Sequence, residues 1–209
     1  MYTRVKASWF HIQAYCEYQL YLICYRKVGN ITTPDTLAGD EAHAVLASLP
    51  DAGELGTVLA DKVYQAQAKY QPFKAREVDV SGTRIYGRID CIEYHLNHVD
   101  ILDNKPLPPR GDPFHGDRRQ ILSYCMAFRE QFPDIKMPII AHLLDYSNKE
   151  FWSHEFVEED ELELNETINR MLDIINGTRA PVPPKYDNKC KTCHYLRFCD
   201  GTPLKRRAQ

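Results

Sequence analysis

Two aspartates and a lysine interrupt a segment that otherwise predicts paired strands. Residues 86–105 alternate apolar and polar side chains, as is typical of a β-hairpin, and Asp90, Asp103 and Lys105 lie within it. Side chains two positions apart on a strand share a face, so Asp103 and Lys105 point the same way. A hairpin that turns at residues 96–97 places Asp90 opposite Asp103. The sequence therefore predicts two carboxylates and an ammonium group in one place.

Such a group can hydrolyse phosphodiester bonds with the help of a divalent ion. Adjacent carboxylates repel each other unless a cation lies between them, and Mg²⁺ or Mn²⁺ prefers oxygen ligands of this kind. The ion lowers the pKa of a bound water and neutralises charge on a phosphate. Lys105 would position or deprotonate that water and stabilise negative charge in the transition state. An ordinary salt bridge on a solvated hairpin face is the alternative that spacing alone leaves open.

A second candidate site is a run of cysteines near the end of the chain. Cys190, Cys193 and Cys199 are separated by two and then five residues. Thiolates at such short spacing are typical of zinc or iron–sulfur sites. His194 would complete a zinc site, whereas Cys16, far upstream, would complete a four-cysteine site for an iron–sulfur cluster.

Composition limits the classes of function. The 209 residues are 44% hydrophobic and carry a formal net charge of −3, so contacts with nucleic acid must come from local basic patches. No apolar run reaches the roughly 18 residues of a membrane span, and residues 1–15 lack the apolar core of a signal peptide. We expect a cytoplasmic protein whose seven cysteines are reduced or metal-bound, with no membrane contact.

The hydrophobic pattern predicts a mixed α/β fold in a single domain, 1–209. We expect an N-terminal helical part (1–70), a core (71–176) and a cysteine-rich tail (177–209). The predicted elements are helices over 8–26 and 53–70, strands over 76–82, 83–96 and 97–104, a helix over 118–132, strands over 137–147 and 149–157, and a helix over 158–178 that ends at Gly177.

The order of these motifs resembles the PD-(D/E)XK nuclease superfamily. Gly-Arg-Ile-Asp ends at Asp90, Asp103 begins Asp-Asn-Lys, and Gln120 and Tyr124 form the Gln-x-x-x-Tyr element of the RecB-like branch. The resemblance implies a restriction-endonuclease-like core, a mixed sheet flanked by helices. It also implies that Asp90 and Asp103 bind the metal and that Lys105 acts in catalysis. Gln120 and Tyr124, one turn apart on a helix, would orient the active site and contact DNA.

Further residues match positions of that branch. His43 resembles its metal-binding histidine on a helix ahead of the hairpin, and Glu77 resembles an additional acid. Arg118 and Arg119 precede the Gln-x-x-x-Tyr element and are expected to contact DNA phosphates. An ordinary surface histidine and an exposed acid at a strand start are the alternatives for His43 and Glu77.

The cysteines extend the resemblance to the iron–sulfur nucleases of this branch, and the chain length to the CRISPR-associated Cas-four exonuclease family. That resemblance implies a 4Fe–4S cluster on Cys16, Cys190, Cys193 and Cys199, which would tie the N-terminal helices to the tail. Cys24 is the alternative to Cys16. The resemblance further implies trimming of single-stranded DNA ends, association with a CRISPR integrase, and homo-oligomers in some members.

Three other functions remain open at this point. One is a stand-alone nuclease of the same branch from a phage, a virus or a repair pathway. Another is a catalytically idle DNA-binding module that keeps its cluster. The third is a zinc-ribbon interaction protein. Asp103 stands where the family often has Glu, and Pro106 directly follows Lys105; neither departure predicts an inactive enzyme.

Overall fold

Six strands of the described residues form one mixed sheet, and helices pack on its buried face. The computed structural model describes residues 1–32, 57–106 and 113–200, together with the helical positions 37, 41 and 44. In chain order the elements are β1 (Val5–Lys6), α1 (Trp9–Tyr15), α2 (Glu17–Leu20) with a π-helical turn (Tyr21–Tyr25), α3 (Thr57–Lys69), β2 (Phe73–Ser81), β3 (Ile85–Tyr94), β4 (Val99–Asn104), α4 (His115–Gln131), β5 (Ile139–Leu144), β6 (Glu150–Glu155), α5 (Glu158–Ile175), α6 (Asn188–Lys191) and a 3₁₀ turn (Leu196–Phe198).

Strand β3 is the branching point of the sheet. The strand order is β1-β3-β4-β5-β6, and β2 also pairs with β3. β1 lies beside Ile85 and Tyr86 of β3, whereas β4 lies beside residues 91–94 of the same strand. Because β2 runs along the other edge of β3, β1 and β4 share one edge. Asp90 therefore lies where these two neighbours of β3 separate.

The hairpin formed by β3 and β4 has the predicted register. Cys91 pairs with Leu102, and Ile92 pairs with Ile101. The same register, continued by one residue, sets Asp90 opposite Asp103, as the sequence predicts. The turn is closed by the backbone N–H of His95, which donates to the carbonyl of His98 at 3.0 Å.

Helix α4 connects the parallel strands β4 and β5 and covers the buried face of the sheet. Parallel neighbours require a crossover, and a helix whose apolar side faces the sheet is the usual solution. Ile121, Cys125 and Phe128 are fully buried against the strands. This packing brings the first half of α4 over the end of β4, where the hairpin residues lie.

The strands of the hairpin have one buried and one half-exposed face. In β4, Val99, Ile101 and Asp103 are buried, and the residues between them are only partly buried. Because side chains alternate along a strand, Asp100 points to the face opposite Asp103.

The N-terminal helix differs from the prediction. Residues 8–26 were expected to form one helix, but Cys16 has extended backbone angles (φ −166°, ψ 120°) and separates α1 from α2. The prediction of one continuous helix is therefore wrong at Cys16. Strand β1 was not predicted, because two residues carry no periodic signal. Gly177 follows α5 with φ +77°, which confirms it as the residue that ends this helix.

No helix among the described residues has both the length and the apolar character needed to cross a bilayer.

Candidate functional site

Asp90 and Glu77 are buried at a point where β3 and β2 each change the face that they turn toward the core, whereas Asp103 continues the buried face of β4. In β3 the buried core residues change from Ile89 to Ile92, an odd to an even position, and β2 changes in the same way from Ala75 to Val78. The register sets Glu77 opposite Asp90 at this point. Where the inward-facing positions of a strand change from odd to even numbers, some side chains leave the regular apolar layer. Asp90 and Glu77 can therefore be buried at this point without taking the place of core residues.

Glu77 has a backbone conformation that residues other than glycine seldom adopt. Its φ is +49°, and its side chain is buried. Left-handed residues within a strand cost about 1–3 kcal/mol and persist at functional sites. Glu77 therefore lies beside the aspartates at a point where the fold accepts strain.

Asp90 ties β3 to the end of β4. Its Oδ2 accepts a hydrogen bond of 2.8 Å from the backbone N–H of Asn104. Asp90 and Asp103 are each only 2% exposed. The two carboxylates that the sequence predicts to be neighbours are thus both withdrawn from solvent at the end of the hairpin.

A chain of polar contacts links Asp103 to helix α4. Lys105 Nζ lies 2.8 Å from Asp103 Oδ2 and donates a hydrogen bond of 3.2 Å to Gln120 Oε1. Gln120 Nε2 in turn donates to the hydroxyl of Tyr124 at 3.1 Å. Residues from a strand, the following loop and a helix therefore form one network, as the motif spacing predicts.

This network fixes the protonation of its members. Burial lowers the pKa of Lys105, but the negative charge of Asp103 outweighs it, so the pKa lies well above its ordinary value. Burial raises the pKa of the Tyr124 phenol, and Asp103 raises it further. At neutral pH Lys105 is therefore an ammonium group and Tyr124 a neutral hydroxyl.

The donors in this place fit a hard divalent ion. Apart from its ion pair with Lys105, Asp103 Oδ2 has no hydrogen-bond partner among the described residues, although it is buried. Asp90, opposite Asp103 on β3, and Glu77, opposite Asp90 on β2, are two further buried carboxylates. Oxygen donors of this kind suit Mg²⁺ or Mn²⁺. His43, the predicted additional ligand, lies outside the described residues.

Two grooves adjoin Gln120. One, of about 880 Å³, is lined by Tyr124 and by the basic side chains Arg4, Lys6 and Arg88. The other runs past Lys105 and is bordered by aromatic residues, among them Phe114, Tyr146 and Phe151. The sequence analysis missed these groove residues. Lys6 belongs to a strand too short to predict, Arg4 directly precedes that strand, and the aromatic residues come from separate parts of the chain.

The arginines predicted to contact DNA take other positions. Arg119 donates to Glu163 Oε1 of α5 from both Nε and Nη2, at 3.0 and 2.7 Å. Arg118 is half-buried, and neither arginine lines the two grooves that adjoin Gln120. Their contact with phosphate stays a prediction.

The cysteines near the two ends of the chain meet in one enclosed cavity. Its lining includes Cys16, Cys190, Cys193 and Cys199 and is otherwise mostly apolar. Cys24 belongs to the main hydrophobic core instead. His194 lines a separate neighbouring groove. The extended backbone at Cys16 interrupts the helix beside this cavity.

Backbone and side-chain contacts hold the tail against the first helix. The hydroxyl of Tyr15 donates to the carbonyl of Lys189 at 3.0 Å, and Lys189 Nζ donates to the carbonyl of Tyr15 at 3.1 Å. Gln19 Nε2 lies 3.4 Å from Cys193 Sγ as a donor. The cysteine positions are thus fixed from both sides of the cavity.

Burial disfavours the thiolate form of Cys16. Burial raises the pKa of Cys16 to about 11; hydrogen bonds from the backbone of Gln19 and Tyr18 lower it, and the neighbouring Cys193 and Cys199 raise it. Four thiols around one small apolar cavity suit a metal or iron–sulfur centre, which stabilises the deprotonated sulfurs. The donors therefore fit the group that the resemblance implies.

Comparison with known protein families identifies the superfamily of the chain. The profile of the PD-(D/E)XK nuclease superfamily matches residues 34–200, which is most of the chain and includes every residue of the polar network. The chain belongs to the PD-(D/E)XK nuclease superfamily. Members are nucleases that use divalent metal ions, which agrees with the buried carboxylates and Lys105. The match does not distinguish the branches of the superfamily.

A solved structure shares the fold at low sequence identity. A protein from Eubacterium rectale named "Putative exonuclease" has a TM-score of 0.54 and 15% identity, over 94% of this chain and 88% of that one. The crystal structure of SSO0001 has a TM-score of 0.47 and 16% identity, over 96% of this chain and 87% of that one. No curated protein matches the chain.

Proposed function

We propose that this nuclease-superfamily protein is a DNA exonuclease that hydrolyses phosphodiester bonds at single-stranded ends or overhangs. The observation that carries the proposal is the buried network in which Asp103 holds Lys105 and Lys105 is held by Gln120. Burial of a charged network with an otherwise unpartnered carboxylate oxygen lowers the stability of the fold, and such networks are typical of functional sites. Metal-assisted cleavage of a phosphodiester bond is a task that uses each of these groups.

The carboxylates of Asp90 and Asp103 would hold the Mg²⁺ or Mn²⁺ ion, with Glu77 and His43 as further candidates. The bound ion would neutralise phosphate charge and supply an activated water at neutral pH. Asp90 keeps its carboxylate in place through the hydrogen bond from the backbone of Asn104. A fixed carboxylate loses little freedom on binding the ion, which favours affinity.

Lys105 acts through its positive charge. Burial lowers the pKa of Lys105, but the nearby charge of Asp103 holds this pKa above the ordinary value, so Lys105 carries a positive charge in the metal-free protein. Its ammonium group is placed to orient the water and to stabilise the charge that develops on the phosphate. Gln120 fixes the position of Nζ, and Tyr124 fixes the orientation of the Gln120 amide.

The aromatic border of the groove supports a single-stranded substrate. Phe114 is 59% exposed and Tyr146 is 52% exposed, and both line the groove that contains Lys105. Exposed aromatic rings beside a positive charge stack unpaired bases without reading their sequence. Paired bases in a duplex cannot present their faces to such rings, so a single-stranded end fits this groove better.

The cysteine cavity supports a 4Fe–4S cluster on Cys16, Cys190, Cys193 and Cys199. Such a cluster would join the first helices to the tail. The hydrogen bond between Tyr15 and Lys189 joins the same two parts of the chain. A nuclease with this centre fits a role in CRISPR adaptation, where captured fragments are trimmed before an integrase inserts them. A stand-alone nuclease from a phage, a virus or a repair pathway is the alternative biological setting.

The deciding experiment measures degradation of end-labelled DNA by protein purified without oxygen. We expect Mn²⁺-dependent shortening of single-stranded DNA, with blunt duplexes resistant. Asp103→Asn should abolish cleavage, while Asp134→Asn, an exposed acid in the turn after α4, should retain it. If wild-type protein binds single-stranded DNA but leaves it intact with either Mg²⁺ or Mn²⁺, the protein is a binding module instead.

The CRISPR setting needs its own experiment. Purified integrase and this protein, mixed with a duplex that carries single-stranded overhangs, should give overhangs of defined length and a complex on gel filtration. Trimming without association would support the nuclease activity but assign the protein to a stand-alone pathway.

A further inference from the structure

A second group of possible metal ligands lies at the turn of the β3–β4 hairpin. His95 Nε2 is 3.1 Å and His98 Nε2 is 3.3 Å from the same oxygen, Asp100 Oδ2. These three atoms all lie within 4.8 Å of one another. The two imidazole rings stack with their centroids 4.4 Å apart. Three ligand atoms of two chemical types thus converge within a six-residue segment.

The separations match those of ligands around a metal ion. Two atoms that each lie about 2.1 Å from a tetrahedral centre are about 3.4 Å apart. His95 and His98 approach Asp100 at nearly this distance. The ligand atoms therefore already have the spacing that a four-coordinate ion requires.

Ordinary hydrogen bonds account poorly for the same contacts. His98 Nδ1 lies 2.8 Å from Asn97 Oδ1, which can only accept, so Nδ1 carries the proton. In the neutral ring Nε2 is then a lone pair that faces the carboxylate oxygen. His95 Nε2 is a buried atom without a hydrogen-bond partner in the described part of the chain, in spite of its closeness to Asp100. A metal ion among these three atoms would satisfy both nitrogens, as would imidazolium rings paired with Asp100, and measured Zn²⁺ binding distinguishes the two.

Outer contacts orient the group as they do at known metal sites. Asp100 Oδ1, the oxygen that the two histidines do not approach, lies 3.0 Å from His142 Nε2. His142 Nδ1 in turn lies 2.6 Å from Glu150 Oε2. Carboxylates and histidines that bind metals are usually held by such partners, which fix their orientation.

We propose that His95, His98 and Asp100 form a Zn²⁺ site that is separate from the nuclease centre. Imidazole nitrogen selects zinc-like ions over Mg²⁺, so the two centres would not compete for the same metal. Glu93 Oε2 lies 3.9 Å from His95 Nε2 and Glu93 Oε1 accepts from Lys74 at 2.6 Å, so a water molecule or a reoriented Glu93 would fill the fourth position. Asp100 and Asp103 point to opposite faces of β4. The ion would clamp the hairpin turn without touching the catalytic face.

The test measures Zn²⁺ bound by full-length protein with its cysteine centre loaded, in competition with a chromophoric chelator. Wild type should bind one Zn²⁺ that His98→Ala binds more than about 100-fold more weakly, because one ligand is lost. His142→Gln, which removes only an outer contact, should weaken binding about 10–100-fold. The matched control is His154→Ala, which also removes a histidine paired with a carboxylate, Asp160 at 2.8 Å, and should bind like wild type.

Co²⁺ identifies the ligands. The substituted protein should show visible bands of a tetrahedral nitrogen and oxygen site, without the intense charge-transfer absorption of thiolate ligands. If His98→Ala is insoluble, Asp100→Asn, which preserves side-chain shape, provides the same comparison. Equal Zn²⁺ binding by wild type and these variants, no Zn²⁺ binding by wild type, or a thiolate charge-transfer band would each overturn the proposal.

Discussion

The positive charge of Lys105 has opposite effects on metal binding and on catalysis. In the free protein it neutralises Asp103, which it contacts at 2.8 Å, and so it competes with a metal ion for the same carboxylate. We predict that Lys105→Met lowers kcat by about 10²–10³ and leaves Mn²⁺ affinity unchanged or higher. Single-turnover cleavage of labelled DNA and Mn²⁺ titration by electron paramagnetic resonance measure the two effects.

Gln120→Leu is the matched control, because it removes the amide that holds Lys105 and keeps the charge. Its loss of kcat should be smaller than that of Lys105→Met. A Lys105→Met protein that loses Mn²⁺ binding together with activity would contradict an electrostatic role for this lysine.

Gly87 leaves room for the ring of Tyr124. A β-carbon at Gly87 would lie 2.8 Å from Tyr124 Cε1 and 3.0 Å from the β-carbon of Ala7. We predict that Gly87→Ala costs about 1–3 kcal/mol in the free energy of unfolding and lowers activity, because Tyr124 must move away from Gln120. Urea denaturation and DNA cleavage measure the two effects.

A second background isolates the contact with the ring. In Tyr124→Ala protein, where the ring is absent, Gly87→Ala should cost less than half as much stability. The same cost in both backgrounds would show that Ala7 or the strand itself, and not Tyr124, limits the space at Gly87.

At the scale of elements, Glu17 joins α2 to α5 and to the tail. Arg170 donates to Glu17 Oε1 from Nε and to Oε2 from Nη2, and the backbone N–H of Val182 donates to Oε2 at 2.8 Å. Burial raises the pKa of Glu17, but the hydrogen bonds from Arg170 and Val182 outweigh it, so the pKa lies below its ordinary value. Glu17 is therefore ionised at neutral pH and serves both partners.

We predict that Glu17→Ala lowers the free energy of unfolding by about 3 kcal/mol, because a partly buried guanidinium group loses its counter-ion. Glu17→Gln, which still accepts from Val182, should cost about half as much. Urea denaturation measures both values, and limited proteolysis should cut Glu17→Ala protein first near Val182. Equal costs for the two variants would assign the effect to packing rather than to charge.

The sequence predicts the hairpin of the candidate site well and other parts poorly, for physical reasons. A period of two and a turn fix the register of β3 and β4, so Asp90 and Asp103 could be paired without a structure. The break at Cys16 could not be predicted, because the surrounding residues keep their helical spacing. The ion pair of Arg119 with Glu163 depends on how α4 packs on α5, which neither helix encodes alone.

The proposed Zn²⁺ site of His95, His98 and Asp100 could not be predicted from the sequence for the same reason. No spacing in the sequence pairs Asp100 with His142, because their contact arises only when β5 pairs with β4. Contacts between neighbouring strands of a hairpin follow from local spacing, whereas contacts across separate elements follow from packing of the whole domain.

At the scale of the whole molecule, the cysteine cavity brings together residues from both ends of the chain. Cys16 lies between the first two helices, and the other three cysteines belong to the tail. The tail buries Tyr195 and Cys199 in a small hydrophobic cluster with Leu22, and a bound centre would add to the free energy that holds the tail in place. Loss of one ligand should therefore affect the tail as well as the centre.

We predict that Cys16→Ser protein, purified without oxygen, loses most of its iron and its brown colour, while Cys24→Ala keeps both. Cys24 is a matched control, because it is also a buried thiol, in the π-helical turn that follows α2, but lies in the main core. Iron analysis and the visible spectrum measure the centre, and proteolysis of residues 180–200 measures the tail. If Cys24→Ala loses iron and Cys16→Ser keeps it, Cys24 and not Cys16 is the fourth ligand. If wild-type protein contains zinc and no iron, the cysteines form a zinc site and not an iron–sulfur cluster. Unchanged nuclease activity in a cluster-free Cys16→Ser protein would limit the centre to a structural role, since the network of Asp103, Lys105 and Gln120 contains no cysteine.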